Sequence, residues 1–447
     1  MSLYTPLFHG SSLSDCFSDR ALLQGMLDFE AALTRAQASC DMVPREAAAA
    51  ISACCQAERL DSDALARDAA LAGNLAIPLV KQLTAVVRGE DEQAARYVHW
   101  GATSQDAIDT GLILQLRAAL EQAETQLNRL ITALTRQVGD HAASLMPGRT
   151  WLQHALPTTY GLKLAGTLDA LLRHRARLNE MRPRLLVIQL GGAAGTLASL
   201  KAQGPVVIQA LARELALGVP DTPWHSQRDR LLEAAGWFAG LAASLGKFAG
   251  DFALLMQTEV AEVSEPVAEG RGGSSTMPHK RNPVTCAAIL SSTGRIPGLM
   301  AALYAAQNQQ HERALGGWQA EWETLPQLAT LTGGVLDNAL TLVEGMQVYP
   351  QKMRQNLDIT HGLIMAESVT LALAPQMGKA RAHHLVERLC HQALDDNQPL
   401  AWLLQQDETV SRYLSESQIA SLLDPAGATG SADHFLRQVL ARSKESL

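Results

Sequence analysis

The stretch Gly270–Val284, GRGGSSTMPHKRNPV, breaks a chain that otherwise runs in long apolar-periodic segments. Its glycines, prolines and basic cluster, Arg271, His279, Lys280 and Arg281, do not suit a buried helix, so the stretch is a loop joining two long helices. Glycine lets a backbone approach a ligand closely, Ser274, Ser275 and Thr276 offer hydroxyls, and the cationic side chains suit an anion. A solvated surface turn is the other reading, and composition alone leaves both open.

The 447 residues are 47% hydrophobic and only 4% aromatic, which favours helix packing over a sandwich or barrel. A formal charge of −8 argues against a nucleic-acid partner. Six cysteines, Cys16, Cys40, Cys54, Cys55, Cys286 and Cys390, show no paired spacing for zinc or for a disulfide framework. The first residues lack a basic region followed by an apolar core, and no uninterrupted apolar run reaches about 18 residues. The expectation is a soluble, reduced, cytoplasmic protein with no membrane partner.

Working outward, Leu112, Leu116, Leu120, Ala123, Leu127, Leu130, Leu134 and Val138 recur at three-or-four spacing, which predicts one amphipathic helix of about 35 residues. HWGATSQDAIDTG, residues 99–111, opens it, and Thr103 with Asp106 fits a capping box. Residues from Cys16 to about Gly89 read as several short helices, with Leu22, Met26, Phe29 and Leu33 on one stripe and breaks at Pro44 and Pro78. GRTWLQHALPTTYG, residues 148–161, leads into another helix. A further one starts near Arg228 and runs directly into the loop. A fourth follows from Pro283. His383 and His384 read as surface residues, since no carboxylate stands at metal-site spacing.

GSSTMPHKRNP resembles the signature loop of the fumarase/aspartase superfamily. That likeness implies that Ser274 transfers a proton and that Lys280 and Asn282 bind a substrate carboxylate, with Ser275 and Met277 beside them. A serine acts so only where backbone N–H groups and positive charge stabilise its alkoxide. HWGATSQD resembles the superfamily's second segment, where Thr103 and Ser104 bind a carboxylate, a role compatible with capping because free N–H groups and the helix dipole attract anions. WLQHALPTT resembles the third segment, but Trp151 stands where the superfamily has its acid histidine; His154 remains as a substrate-orienting or satisfied residue. HERALGGWQAEW, residues 311–322, resembles the adenylosuccinate lyases, with Gly316 and Trp322 in place of the phosphate-binding serine and arginine.

The resemblance implies an all-α, three-domain fold: an N-terminal helical domain, residues 1–100, a central long-helix bundle, 101–350, and a small helical domain, 351–447. It implies a homotetramer whose active sites each draw on three subunits. Rods roughly 50 Å long, at about 1.5 Å per residue, are compatible with completion by a neighbour.

Superfamily members move a proton alpha to a carboxylate and expel a group from the beta carbon, or the reverse. Hydroxide or an amine leaves badly without an acid, whereas a carboxylate with a pKa of about 4 leaves as the anion. The missing histidine therefore points to a carboxylate leaving group and, in reverse, to lactone formation from a small tricarboxylate without metal or organic cofactor. Trp151 then shapes the pocket. A fumarate-releasing lyase and an inactive helical scaffold are the alternatives.

Overall fold

The structure, a computed structural model, describes residues 3–9, 11–268, 270–273, 277 and 279–445. Helices dominate, and the two sheets are small two-stranded pairs. The long helices are α1 (Asp19–Ser39), α2 (Ser104–Asp140), α3 (Tyr160–Leu185), α4 (Asp229–Leu255), α5 (Val284–Ala306) and α6 (Gly317–Gly345). Spatial proximity divides the chain into two compact units, one of residues 1–127, 174–246 and 288–337, the other of 128–173, 247–287 and 338–447.

In the first unit, α1 starts where Ser18 Oγ accepts the Ala21 N–H at 3.2 Å, a cap that satisfies one of the orphan donors of a helix start. Met26, Phe29 and Leu33 of the expected stripe are buried in its core, while Leu22 is half-buried at the edge. Gly25 of α1 lies against Gly111 of α2 so closely that a Cβ there would stand 2.9 Å from the Gly111 carbonyl oxygen, so the contact requires glycine. The chain breaks at Pro44 as expected, immediately before the helix Arg45–Cys54. The helix Ala76–Glu90, however, takes Pro78 into its first turn, where no intrahelical N–H bond is lost.

The stripe on α2 is buried along its whole length, and the helix has 37 residues against the expected 35 or so. α4 begins at Asp229, but it ends at Leu255 instead of running into the loop. Between them the second unit inserts β3 (Val263–Ser264), paired antiparallel with β4 (Gln347–Val348).

That unit also contains an antiparallel hairpin, β1 (Leu145–Thr150) and β2 (Gln153–Thr159), ahead of α3. Its register shifts between Pro147 and Arg149, as expected of strands interrupted by proline. A separate core of Val369, Leu373, Val386, Leu389, Leu403 and Val410 holds the C-terminal helices together.

Among the described residues two helices, α4 and α5, are long and apolar enough by length and composition to cross a membrane. Charges interrupt both, Lys247 and Asp251 in the first and Arg295 in the second. α4 buries Trp237, Phe238, Leu241, Leu245 and Phe252 within the protein.

Candidate active site

Thr103 and Ser104 lie half-buried at the start of α2 in the first unit. The chain reaches them through two left-handed residues, His99 (φ 58°) and Gly101 (φ 77°). The capping box is half formed: the Thr103 N–H donates to Asp106 Oδ2 at 3.0 Å, whereas Thr103 Oγ1 meets the guanidinium of Arg313 at 3.2 Å. Asp106 is fully buried and does more than cap. Its Oδ1 accepts from the Gly191 N–H at 2.9 Å and its Oδ2 from the Gly192 N–H at 2.9 Å. These bonds pin the glycine-rich joint QLGGAAGT, residues 189–196, against the helix start, and the first N–H groups of a helix suit an anion.

One turn deeper, Arg228 sits with no exposed side-chain surface between Asp109 and Glu321. Trp318 Nε1 donates to Asp109 Oδ1 at 3.1 Å, and the Trp224 ring lies 4.9 Å from the guanidinium. Burial alone would depress the arginine, but the two carboxylates outweigh it and raise its pKa. Glu321 is itself raised, by burial above all, against the pull of Arg228. Nothing in the periodicity distinguished these residues from ordinary helix positions. Trp322 packs edge-on against Trp318, centroids 4.9 Å apart, so this position holds an indole in a core and offers no cation to a phosphate.

In the second unit the loop's two stems pair. Asn282 N–H donates to the Gly272 carbonyl at 2.8 Å and Gly273 bridges Arg281. Gly272 has φ 64°, and a Cβ there would come 2.7 Å from the Asn282 carbonyl oxygen, so glycine is required. Lys280, whose N–H bonds the Met277 carbonyl at 3.0 Å, is exposed, as is Met277. Lys280, Arg281, Asn282 and Arg271 line one cavity of about 250 Å³. Ser274 and Ser275, together with Thr276 and Pro278, lie outside the described residues.

Trp151 occupies the tip of the β1–β2 hairpin, 97% exposed, and with Leu152 it takes positive φ (53° and 65°). A two-residue turn with both φ positive matches the twist of the strands, but it strains side chains larger than glycine or asparagine. His154 stands opposite Arg149 in the pairing and is half-buried, its Nδ1 buried without a partner among the described residues. Burial, then Arg149, lower its pKa against Glu262, which favours the neutral imidazole. Arg149 is held by Glu262 in two bonds of 3.0 and 2.6 Å. Trp151 and His154 are not among the lining residues of the loop cavity. His141, the other histidine of this region, bonds Ser144 Oγ at 3.1 Å. His383 and His384 are exposed and stack on each other.

The arrangement therefore offers two anion-seeking elements, a helix start and a cationic loop, of a kind suited to carboxylates. A family model described as lyase matches residues 9–298, and one described as adenylosuccinate lyase C-terminus matches residues 362–439. The chain belongs to the lyase family, the fumarase/aspartase superfamily that its loop resembles. Within it, the chain is 54% identical over 439 residues to 3-carboxy-cis,cis-muconate cycloisomerase of Pseudomonas aeruginosa, covering 98% of this chain and 96% of that one. It is 52% identical to the enzyme of the same name from Pseudomonas putida, covering 93% and 99%. The solved structure of 3-carboxy-cis,cis-muconate lactonizing enzyme from Pseudomonas putida matches with a TM-score of 0.95 at 51% identity, over 99% of both chains.

Proposed function

We propose that this chain is a cycloisomerase that converts 3-carboxy-cis,cis-muconate to 4-carboxymuconolactone, a step of protocatechuate breakdown in the β-ketoadipate pathway. The observation that carries the reading is the near-full-length likeness to enzymes of that name, joined to a loop cavity with three cationic side chains.

The terminal carboxylate of the substrate adds to the carbon bearing the middle carboxyl group, forming the ring C–O bond. The π pair of the attacked double bond moves to the neighbouring carbon and onto its carboxylate, and that carbon then takes one proton. A trianion plus a proton becomes a dianionic lactone. Lys280 and Asn282, with Thr103 and Ser104, hold carboxylates; Ser274 delivers the proton. Ser275, Met277, Trp151 and His154 complete the substrate pocket. The substrate supplies nucleophile and electron sink, so the chemistry calls for no metal or organic cofactor.

The active form is a homotetramer with sites shared among three subunits. Two surfaces support this. α5 exposes a row of small residues, Ala287, Ser291, Gly294, Gly298, Ala301 and Ala305, that permits close helix approach. Trp151 and Leu152 present large apolar surface on a hairpin tip, as a group completing another subunit's pocket would.

The test is ultraviolet absorbance of 3-carboxy-cis,cis-muconate with the protein in chelator, beside Ser274→Ala. Loss of the diene signal with wild type and its persistence with the variant support the reading. An unchanged signal with folded wild type removes it, and release of fumarate from succinyl substrates becomes the reaction to assay.

A further inference from the structure

Three cations line the loop cavity, and Arg271, Lys280 and Arg281 form no ion pair among the described residues, in a chain of net charge −8. The one carboxylate among the described residues of that lining is Glu265, and it is committed elsewhere. Its Oε2 accepts from the Thr285 N–H at 3.0 Å and from Thr285 Oγ1 at 2.7 Å, and its Oε1 accepts from the Cys286 N–H at 2.8 Å. Glu265 therefore caps the start of α5 and makes no direct ion pair with the cavity's cations, so the three cations outnumber it.

Arg271 is held in place by a neighbouring side chain. Thr285 Oγ1 gives its proton to Glu265, so its lone pair is free to receive Arg271 Nη2, at 2.6 Å. This relay from Glu265 through Thr285 fixes the plane of the guanidinium at one corner. Its Nε is buried with no partner among the described residues. A guanidinium braced at one nitrogen with donors left over is built for a planar, two-oxygen acceptor, which a lysine ammonium matches less well.

We propose that Arg271 binds the substrate's third carboxylate, the one that neither attacks nor takes up the electron pair, and so selects tricarboxylates over dicarboxylates at this cavity. The proposal rests on the lactonisation reading for the identity of that carboxylate. Lys280 and Asn282 grip a carboxylate that any muconate carries. The third is what separates 3-carboxymuconate from muconate, and a carboxylate that gives up its water on binding needs a cation of its own. Glu265 and Thr285 are positioning residues that act through Arg271.

The experiment compares wild type, Arg271→Gln and Arg271→Lys. Binding is read from melting midpoints with propane-1,2,3-tricarboxylate and with glutarate, neither of which can react. Turnover of 3-carboxy-cis,cis-muconate and its inhibition by cis,cis-muconate are read beside it. In Arg271→Gln the tricarboxylate Kd and KM rise about 10- to 100-fold, while glutarate binding and the muconate inhibition constant stay within about twofold. Arg271→Lys, which keeps the charge without the fork, falls between. Equal weakening of both anion classes would reduce Arg271 to a brace of the loop and overturn the proposal, as would an unchanged tricarboxylate preference. A wild type that prefers tricarboxylate through Arg271 yet leaves the diene absorbance intact defeats the lactonisation reading and leaves the anion selection standing.

Discussion

His225 Nε2 lies 2.7 Å from Asp106 Oδ1, with both side chains almost wholly buried. A carboxylate only accepts, so His225 Nε2 is the donor, and among the described residues Asp106 receives four donors: this one and the N–H groups of Thr103, Gly191 and Gly192. Asp106 is thus the tie between the candidate carboxylate-binding turn and the glycine-rich joint.

Asp106→Asn should expose that tie. Whichever way the amide turns, its NH₂ faces at least one backbone N–H, leaving a buried donor unpaired. The expected loss is about 1–3 kcal/mol in urea unfolding. KM for the tricarboxylate should rise with it, because Thr103 and Ser104 lose their fixed geometry. Unchanged stability would mean the carboxylate network is not what holds this turn.

Arg228→Met leaves Asp109 and Glu321 facing each other without surface exposure. Breaking a buried pair by removing one partner costs about 3–5 kcal/mol, and the urea midpoint reads it. Arg228→Lys should also destabilise, since an ammonium cannot serve both carboxylates with the paired bonds of a guanidinium.

Stability should depend on pH through His99. Burial pulls its pKa down, but Glu30, 2.6 Å from its Nδ1, prevails and raises it above 6.5. A raised folded pKa contributes stability that is fully present below the unfolded value and is lost as pH climbs through the folded one. Wild type should therefore lose stability relative to His99→Gln as pH rises from about 6.5. Urea midpoints for the pair across that window check it; a constant difference would show that the imidazolium is not what Glu30 stabilises.

Lys280→Met should raise KM for the tricarboxylate by about tenfold or more, the worth of a hydrogen bond to a charged group. The melting midpoint should stay put, because Lys280 is exposed and forms no ion pair among the described residues. Steady-state kinetics beside a thermal melt separates the two effects.

Trp151→Asn with Leu152→Gly places the residues a two-positive-φ turn prefers at the hairpin tip. Relief of strain should stabilise the protein by about 1 kcal/mol or more while activity falls, if Trp151 completes a neighbouring subunit's pocket. Gain of stability with full activity would remove Trp151 from the substrate pocket.

What the sequence determined by itself is what repeats along the chain or is written in consecutive residues. The stripe from Leu112 to Val138 specified a helix of nearly the observed length, because burying one face every 3.6 residues is a local rule. The loop's glycines, prolines and cations marked a break between helices, and its stems close through Gly272, where only glycine fits. Tertiary structure decided the rest. The β1–β2 hairpin was not legible, since Pro147, Gly148 and Pro157 hide the alternation of a strand whose partner supplies its order. Arg228 with Asp109 and Glu321, and Asp106 with Gly191, Gly192 and His225, are separated by 85 to 119 positions in sequence order. A buried charge is tolerable only beside its partner, and which distant residue becomes that partner is settled by folding and by no local pattern.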